Sequence, residues 1–360
     1  MEPRTIAENP LKDANQSMSR VLVTGGAGFI GSNLIRTLVH HGFQVLNFDK
    51  LSYAGHRQSL SDLADSPNLH WRIADLCDET SVRSAIFDFQ PNSIIHLAAE
   101  SHVDRSIDAP LLFAQSNVIG TIHLLEVARD YWSKMDSDSA RLFRMIHVST
   151  DEVFGTLDEN GSFSESSPYR PNSPYAASKA SADHFVRAYR NTYQLPVNIT
   201  NCSNNFGPYQ HPEKLIPTVI TRAISGAMIP VYGDGMNVRD WLHVDDHVRA
   251  LFHILQYANP TSDYVIGANN TVRNLDLVRS VCDILDELSP KADGRRMREQ
   301  IELVPDRPGH DFRYAVDSSK LQRDLRWSPQ LDFQIALGNT IRWYLDNQWW
   351  WEGIIDGTLT

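Results

Sequence analysis

Cysteine is scarce in this 360-residue chain. Cys77, Cys202 and Cys282 are odd in number, far apart and in no C-x-x-C pair. That excludes a disulfide framework and a thiolate zinc site, and it fits a reducing cytoplasm. Basic charge is also in deficit: 33 Lys and Arg face 44 Asp and Glu, for a net charge of −11. Such a surface repels nucleic acid and anionic lipid on average, so neither is an expected partner. No apolar run approaches the ~18 residues needed to span a bilayer, so no membrane segment is expected. Internal repeats, low-complexity tracts and metal-ligand clusters are absent as well. Residues 1–18 are polar, lack the apolar centre of a signal peptide, and read as a flexible tail.

Hydrophobic residues make up 42% of the chain, the composition of a globular protein with a substantial core. Arg20 to Thr24 is a short β-branched run ending in glycines. A helical pattern follows through Leu34, Ile35, Leu38 and Val39, and Gln44 to Asp49 reads as a second strand. Further strands are expected at His70–Ile73, Ser93–Leu97, Arg144–Ser149 and Val197–Asn201, with helices between them. Strand–helix alternation of this kind predicts an α/β fold with a Rossmann-type, doubly wound parallel sheet. Beyond about Cys202 Pro and Gly become frequent, as in Gly233-Asp234-Gly235 and Arg307-Pro308-Gly309. The expected division is a dinucleotide-binding domain over 19–201 and a smaller C-terminal α+β lobe over 202–360, with excursions back to the first. Trp349-Trp350-Trp351 is expected to dock, onto the body of the protein or onto a partner subunit.

Gly25, Gly28 and Gly31 form G-x-x-G-x-x-G between the first strand and the first helix. Glycine there permits a tight turn and brings backbone close to a pyrophosphate, while the helix N-terminus offers free N–H groups. Asp49 ends the next strand eighteen residues after Gly31, near the ~20 expected for a carboxylate on a ribose 2′-OH. A carboxylate there disfavours a 2′-phosphate, which points to NAD over NADP, although Lys50 is adjacent. Asp75, read as the end of the third strand, could reach the adenine.

Tyr175 and Lys179 form Y-x-x-x-K on a helix beginning at Pro174. Residues four apart share a helix face, and an ammonium beside a phenol is expected to lower its pKa and make it a base toward a hydroxyl. Asp151-Glu152 follows the strand that ends at Ser149-Thr150, at the edge where sites of parallel sheets lie.

These motifs resemble the extended short-chain dehydrogenase/reductases. More narrowly, Leu97 to Ile107, Ser149 to Gly155, Pro174 to Lys179, Asn204 to Gln210, Arg239 to Leu242 and Asp306 to Asp311 are similar to the dTDP-glucose 4,6-dehydratases. The likeness runs from about Arg20 to about Tyr344. The acidic pair Asp151-Glu152 sets it apart from 4-epimerases of the same superfamily. The resemblance implies a lyase acting on dTDP-glucose. Tyr175 takes the O4 proton as NAD accepts the C4 hydride, with Thr150 bonding O4. Glu152 removes the C5 proton while Asp151, protonated, gives its proton to the C6 hydroxyl, and the hydride returns to C6. It implies Phe29, Ile30, Lys50, Leu51, Ser52, Leu76, Leu97, Ala98, Ala99, Ser101, Ser116 and Asn205 around the cofactor. Around the nucleotide sugar it implies Ser101, Thr150, Asn204, Lys214, Leu215, Pro230, Tyr232, Arg239, Asn274, Arg307 and His310. Arg239 and Arg307 are the expected diphosphate ligands. Phe206, His211, His243 and Ser116 depart from the family pattern, and the two histidines leave thymidine and uridine open. A homodimer is expected by analogy, through the apolar stripes of the helix after Asn117 and the helix of Tyr175. A UDP-sugar dehydratase or epimerase of the same superfamily shares every cofactor residue. A catalytically inactive NAD-sensing protein is the remaining alternative.

Overall fold

The computed structural model describes residues 19–359, and the tail expected over 1–18 lies outside the described residues. Among the described residues, six strands precede residue 203: β1 (Arg20–Thr24), β2 (Gln44–Asp49), β3 (Leu69–Ile73), β4 (Ser93–His96), β5 (Arg144–Thr150) and β6 (Val197–Cys202). Six follow: β7 (Asn204–Phe206), β8 (Ile229–Tyr232), β9 (Val238–His243), β10 (Tyr264–Ile266), β11 (Thr271–Arg273) and β12 (Ile301–Val304). The four strands expected after β2 are all present, with ends one residue from the sequence reading. Asp75 lies beyond the end of β3, in a turn where its carboxylate accepts from the Cys77 N–H at 2.9 Å.

Seven strands form one parallel sheet in the order β3-β2-β1-β4-β5-β6-β10. Helices cover both faces, so the central strands are apolar almost throughout: Val21, Leu22 and Val23 are at most 1% exposed. Strand order reverses between β1 and β4, which opens a crevice beyond the carboxyl ends of those strands. The seventh strand was not foreseen. β10 has three residues, too few for a periodicity, yet it pairs with Thr200 to Cys202 of β6. The helix Val244–Tyr257 also returns to this sheet and packs on the helix Phe29–His40.

The rest of the chain builds the three-stranded sheet β11-β9-β7 and the parallel pair β12-β8. They share an apolar core with the helices Leu215–Ser225, Asn274–Leu288 and Phe333–Asp346. Trp350 and Trp351 join that core, whereas Trp349 is half exposed. The Trp350 indole N–H lies 3.3 Å from the Ser59 hydroxyl, so the C-terminal helix Gln348–Ile355 docks on the body of its own chain.

The expectation of no run long enough to cross a bilayer needs correction. The continuous helical stretch Pro110–Ser133 spans 24 residues, with mean hydropathy 1.3 over its most apolar window, of which 44% is buried within the fold. It packs on the helices Glu79–Phe89 and Pro174–Tyr193, which explains its apolar face. Its turns over Ala114–Ile119 widen into a π-helix, a local distortion common at functional sites.

Candidate active site

The cofactor end is shaped by backbone. Gly25 has φ +72°, and a Cβ there would lie 2.6 Å from the Ala98 nitrogen. A Cβ on Gly31 would lie 2.2 Å from the Gly25 carbonyl oxygen. Both overlaps are with main chain, so any side chain would push the helix off the strand. Gly28 is the N-cap of the helix Phe29–His40 and lacks a side-chain cap, so the first N–H groups face the crevice with the positive end of the helix dipole. The Asp49 carboxylate accepts from the Ala27 and Leu51 N–H groups at 2.9 and 2.8 Å. Burial pushes its pKa up, and those two donors oppose the rise. Lys50 is held by Glu100 at 3.0 Å, Ser116 at 2.9 Å and Asp75 at 3.8 Å. Its charge is therefore already countered by two carboxylates.

The catalytic candidates come from three elements. β5 ends at Thr150, and a single 3₁₀ turn, Asp151–Phe154, follows. The Thr150 hydroxyl accepts from the Glu152 N–H at 3.2 Å and lies 3.3 Å from the Asp151 carboxylate. The helix Pro174–Tyr193 starts with proline at its first position and the Ser173 hydroxyl capping the Ala176 N–H at 3.1 Å. Such a cap is worth about 1 kcal/mol. It fixes Tyr175 in the first turn and Lys179 one turn further on, and both are buried.

Burial pushes the Asp151 carboxyl far above its ordinary value, and the Glu152 and Asp240 charges add to the effect. Burial also raises Glu152, though less far, with Arg307, Arg239 and Lys214 opposing the rise. Asp151 therefore keeps its proton and Glu152 loses its own more readily, the split that two neighbouring acids need to do different work. The expectation of a lowered Tyr175 pKa is overturned. Burial, then Glu152 and Cys202, push its phenol well above the usual range, with the Thr150 hydroxyl opposing. The Lys179 ammonium donates instead to the Val148 carbonyl at 2.9 Å. A shared helix face brings the two side chains near each other without pairing them.

Two cavities, of about 310 and 1290 Å³, share a wall, with Ser101, Glu152, Asn204 and Lys214 among the residues lining both. Every residue expected at the cofactor lines the smaller one except Leu51, which lines the larger. Thr150, Asp151, Glu152, Tyr175 and Lys179 line its inner end. The residues expected at the nucleotide sugar all line the larger cavity except Thr150. Arg239 is buried and pinned by the carbonyls of Val238, Asp311 and Phe312, with its guanidinium 4.3 Å from the centre of the Tyr314 ring. Arg307 bonds Asp104 at 3.2 Å, and its Nε has no partner among the described residues. Lys214 donates to the Ser101 carbonyl at 2.9 Å.

The sequence profile of the GDP-mannose 4,6 dehydratase family matches residues 22–340. The chain is 51% identical to the probable dTDP-glucose 4,6-dehydratase of Sinorhizobium fredii, covering 94% of this chain and 96% of that protein. It is 48% identical to the dTDP-glucose 4,6-dehydratase of Neisseria meningitidis, over 95% and 97% of the two chains. The crystal structure of DesIV, the dTDP-glucose 4,6-dehydratase of Streptomyces venezuelae with NAD and dTDP bound, superposes with a TM-score of 0.84. It is 43% identical, over 93% of this chain and 99% of that one. The chain belongs to the dTDP-glucose 4,6-dehydratase family.

In this member of the dTDP-glucose 4,6-dehydratase family, motif reading passed over several buried residues at the site. Asn117, in the π-helical turn, donates to the Glu100 carbonyl at 3.0 Å and to the Ser178 hydroxyl at 2.8 Å, and accepts from the Glu100 N–H at 2.8 Å. It thus ties the loop after β4 to the helix of Tyr175. Asp240 is fully buried, its carboxyl pushed up to about 6 by burial, and it adds negative charge near Asp151. Its neighbour Arg239 drew attention as a cation, while a lone acid carries no spacing signal. His211, already noted as a departure from the family pattern, lines both cavities and stacks on His56 at 5.8 Å.

Proposed function

We propose that this protein is a dTDP-glucose 4,6-dehydratase, converting dTDP-glucose to dTDP-4-keto-6-deoxyglucose and water. The observation that carries the reading is the Asp151-Glu152 pair, split in proton affinity and facing the same cavity as Tyr175. When bound, NAD supplies the hydride acceptor for C4 and the hydride that later goes to C6. The glycine turn, the uncapped helix end and the Asp49 carboxylate fit a dinucleotide, and Asp49 would hold the adenosine ribose. Tyr175 takes the O4 proton, aided by the Lys179 charge one turn away and by the helix N-terminus beside it. The Thr150 hydroxyl bonds O4 and fixes the sugar. A ketone at C4 acidifies the C5 proton, which Glu152 then removes. Asp151 gives its proton to the C6 hydroxyl, which leaves as water. Glu152 returns its proton to C5, so the product keeps the C4 ketone, and the proton gained by Tyr175 and the one lost by Asp151 are restored by exchange with solvent. Arg307, Arg239 and Lys214 would face the diphosphate of the substrate.

The division at residue 201, a cytoplasmic location and a homodimer belong to the same reading. The three cysteines are unpaired, which suits a reducing compartment. Leu111 is 83% exposed, and Leu112 and Phe185 are also exposed on the same two mutually packed helices, apolar surface suited to a second copy. The experiment is incubation with dTDP-glucose bearing deuterium at C4. Deuterium at C6 of a 4-keto-6-deoxy product supports the reading. Label lost to water, or faster turnover of UDP-glucose, overturns it.

A further inference from the structure

A lysine directly after the carboxylate that ends β2 is a hazard for a site that takes NAD. NADP carries a 2′-phosphate at that end of the cofactor, and an ammonium is a good ligand for phosphate. Asp49, Lys50, Asp75 and Ser116 all line the smaller cavity. The structure shows where the ammonium is kept. Lys50 Nζ lies 3.0 Å from Glu100 Oε1 and 3.8 Å from Asp75 Oδ2, and it donates to the Ser116 hydroxyl at 2.9 Å. These partners come from three separate segments: the loop after β4, the turn after β3 and the π-helical turn.

Glu100 is the partner built to stay in place. It is 5% exposed, and a buried carboxylate is costly unless a cation meets it. Among the described residues, Lys50 is the cation within ion-pair distance of it. Its backbone is clamped on both sides by the Asn117 side chain, which accepts from the Glu100 N–H at 2.8 Å and donates to the Glu100 carbonyl at 3.0 Å. Asn117 is tied in turn to the Ser178 hydroxyl, on the helix of Tyr175, at 2.8 Å. Asp75 is held less firmly to the lysine. Its side chain is 46% exposed and its 3.8 Å separation is beyond hydrogen-bond range, so water screens the attraction. Glu100 therefore fixes the ammonium, and it draws it toward the interior.

We propose that Glu100 is a cofactor-specificity residue: its ion pair engages the Lys50 ammonium and withholds that charge from a 2′-phosphate, leaving Asp49 free to select NAD. The inference rests on the reading of Gly25 to Asp49 as the dinucleotide site. Asp49 alone leaves the choice open, because the next residue in the chain offers the opposite charge. With Lys50 engaged, a 2′-phosphate would meet the carboxylates of Asp49, Asp75 and Glu100 against one ammonium. NAD is not penalised in the same way, since its 2′-hydroxyl is uncharged.

The test is calorimetric titration of NAD and of NADP into protein stripped of bound nucleotide, with no sugar present. The parent is expected to bind NAD more tightly. Glu100→Gln is nearly isosteric and leaves the backbone clamp by Asn117 in place. In that variant NADP should bind roughly tenfold more tightly than in the parent, the lower end for a charge-assisted bond from a partly exposed ammonium. NAD should bind as before. Adding Lys50→Met should abolish the NADP gain, because the freed charge is then gone. An unchanged ratio of NAD to NADP affinity in folded Glu100→Gln overturns the proposal, since a merely structural ion pair would weaken both nucleotides alike. A gain that survives Lys50→Met overturns it as well. Should Glu100→Gln not fold, the double variant with Lys50→Met, which leaves no lone charge, decides. A preference for NAD like the parent's supports the proposal, and a lost preference overturns it. A parent protein that binds neither nucleotide overturns the cofactor reading itself, and the sugar-free titration stands apart from the dehydratase reading, which dTDP-glucose turnover tests.

Discussion

Replacing Asp151 with asparagine isolates the step that separates a dehydratase from an enzyme that only oxidises C4. The side chains are isosteric, and Asp151 is 2% exposed, so the strand end should keep its shape. Asparagine accepts the Thr150 hydroxyl bond, made at 3.3 Å, through its amide oxygen. It has no proton to give to the departing C6 hydroxyl. A positioned general acid is worth roughly 10²- to 10⁴-fold, which is about 2.7 to 5.4 kcal/mol of activation free energy. Oxidation at C4 runs through Tyr175 and Thr150 and should survive. Removal of the C5 proton should also survive, because loss of the neighbouring acid, which raises no charge against Glu152, leaves that base in place. A single-turnover experiment in deuterium oxide should therefore show C5 exchange and reduced-nicotinamide absorbance without release of product. Glu152→Gln should instead block the exchange. Turnover of Asp151→Asn within threefold of the parent, or equal loss of oxidation and elimination, would refute the assignment.

Three further outcomes follow from the geometry. Gly31→Ala should unfold at lower temperature and retain little NAD, because its Cβ would meet the Gly25 carbonyl at 2.2 Å; unchanged melting and NAD titration would contradict this. Arg307→Leu should raise KM for the nucleotide sugar by about 10- to 100-fold, the weight of a charge-assisted bond or two. It should also move the acid limb of kcat upward, since Glu152 loses a cation that holds its pKa down and so stays protonated to higher pH; a limb that moved downward would contradict the sign. Tyr175→Phe should abolish C4 oxidation with melting unchanged, read by the absence of reduced nicotinamide after dTDP-glucose is added.

Legibility of the site tracked the length scale of each interaction. The glycine turn, Asp49, the acidic pair and the Tyr175–Lys179 spacing are local patterns in which residue type and separation state the geometry. Asp240 and Asn117 have no such spacing. They act through contacts made across the sheet or between loops, which a linear pattern does not carry. Tyr175 shows the limit of spacing itself. Helical periodicity correctly set Lys179 on its face, but the ammonium turned to the Val148 carbonyl, and burial decided the direction of the phenol. The apolar stretch Pro110–Ser133 was underestimated because scattered polar residues such as Asn117 hid its average hydropathy. Those polar groups are the ones that meet partners inside the fold.

The placement of Tyr264–Ile266 bears on biosynthesis. As the chain leaves the ribosome, the outer border of Val197–Cys202 stays open until some sixty further residues have emerged. An open border of that kind invites pairing with other chains, so nascent protein has reason to fold its two parts together. Cutting the gene between those parts should yield fragments that are sticky when made singly and regain activity only when made side by side.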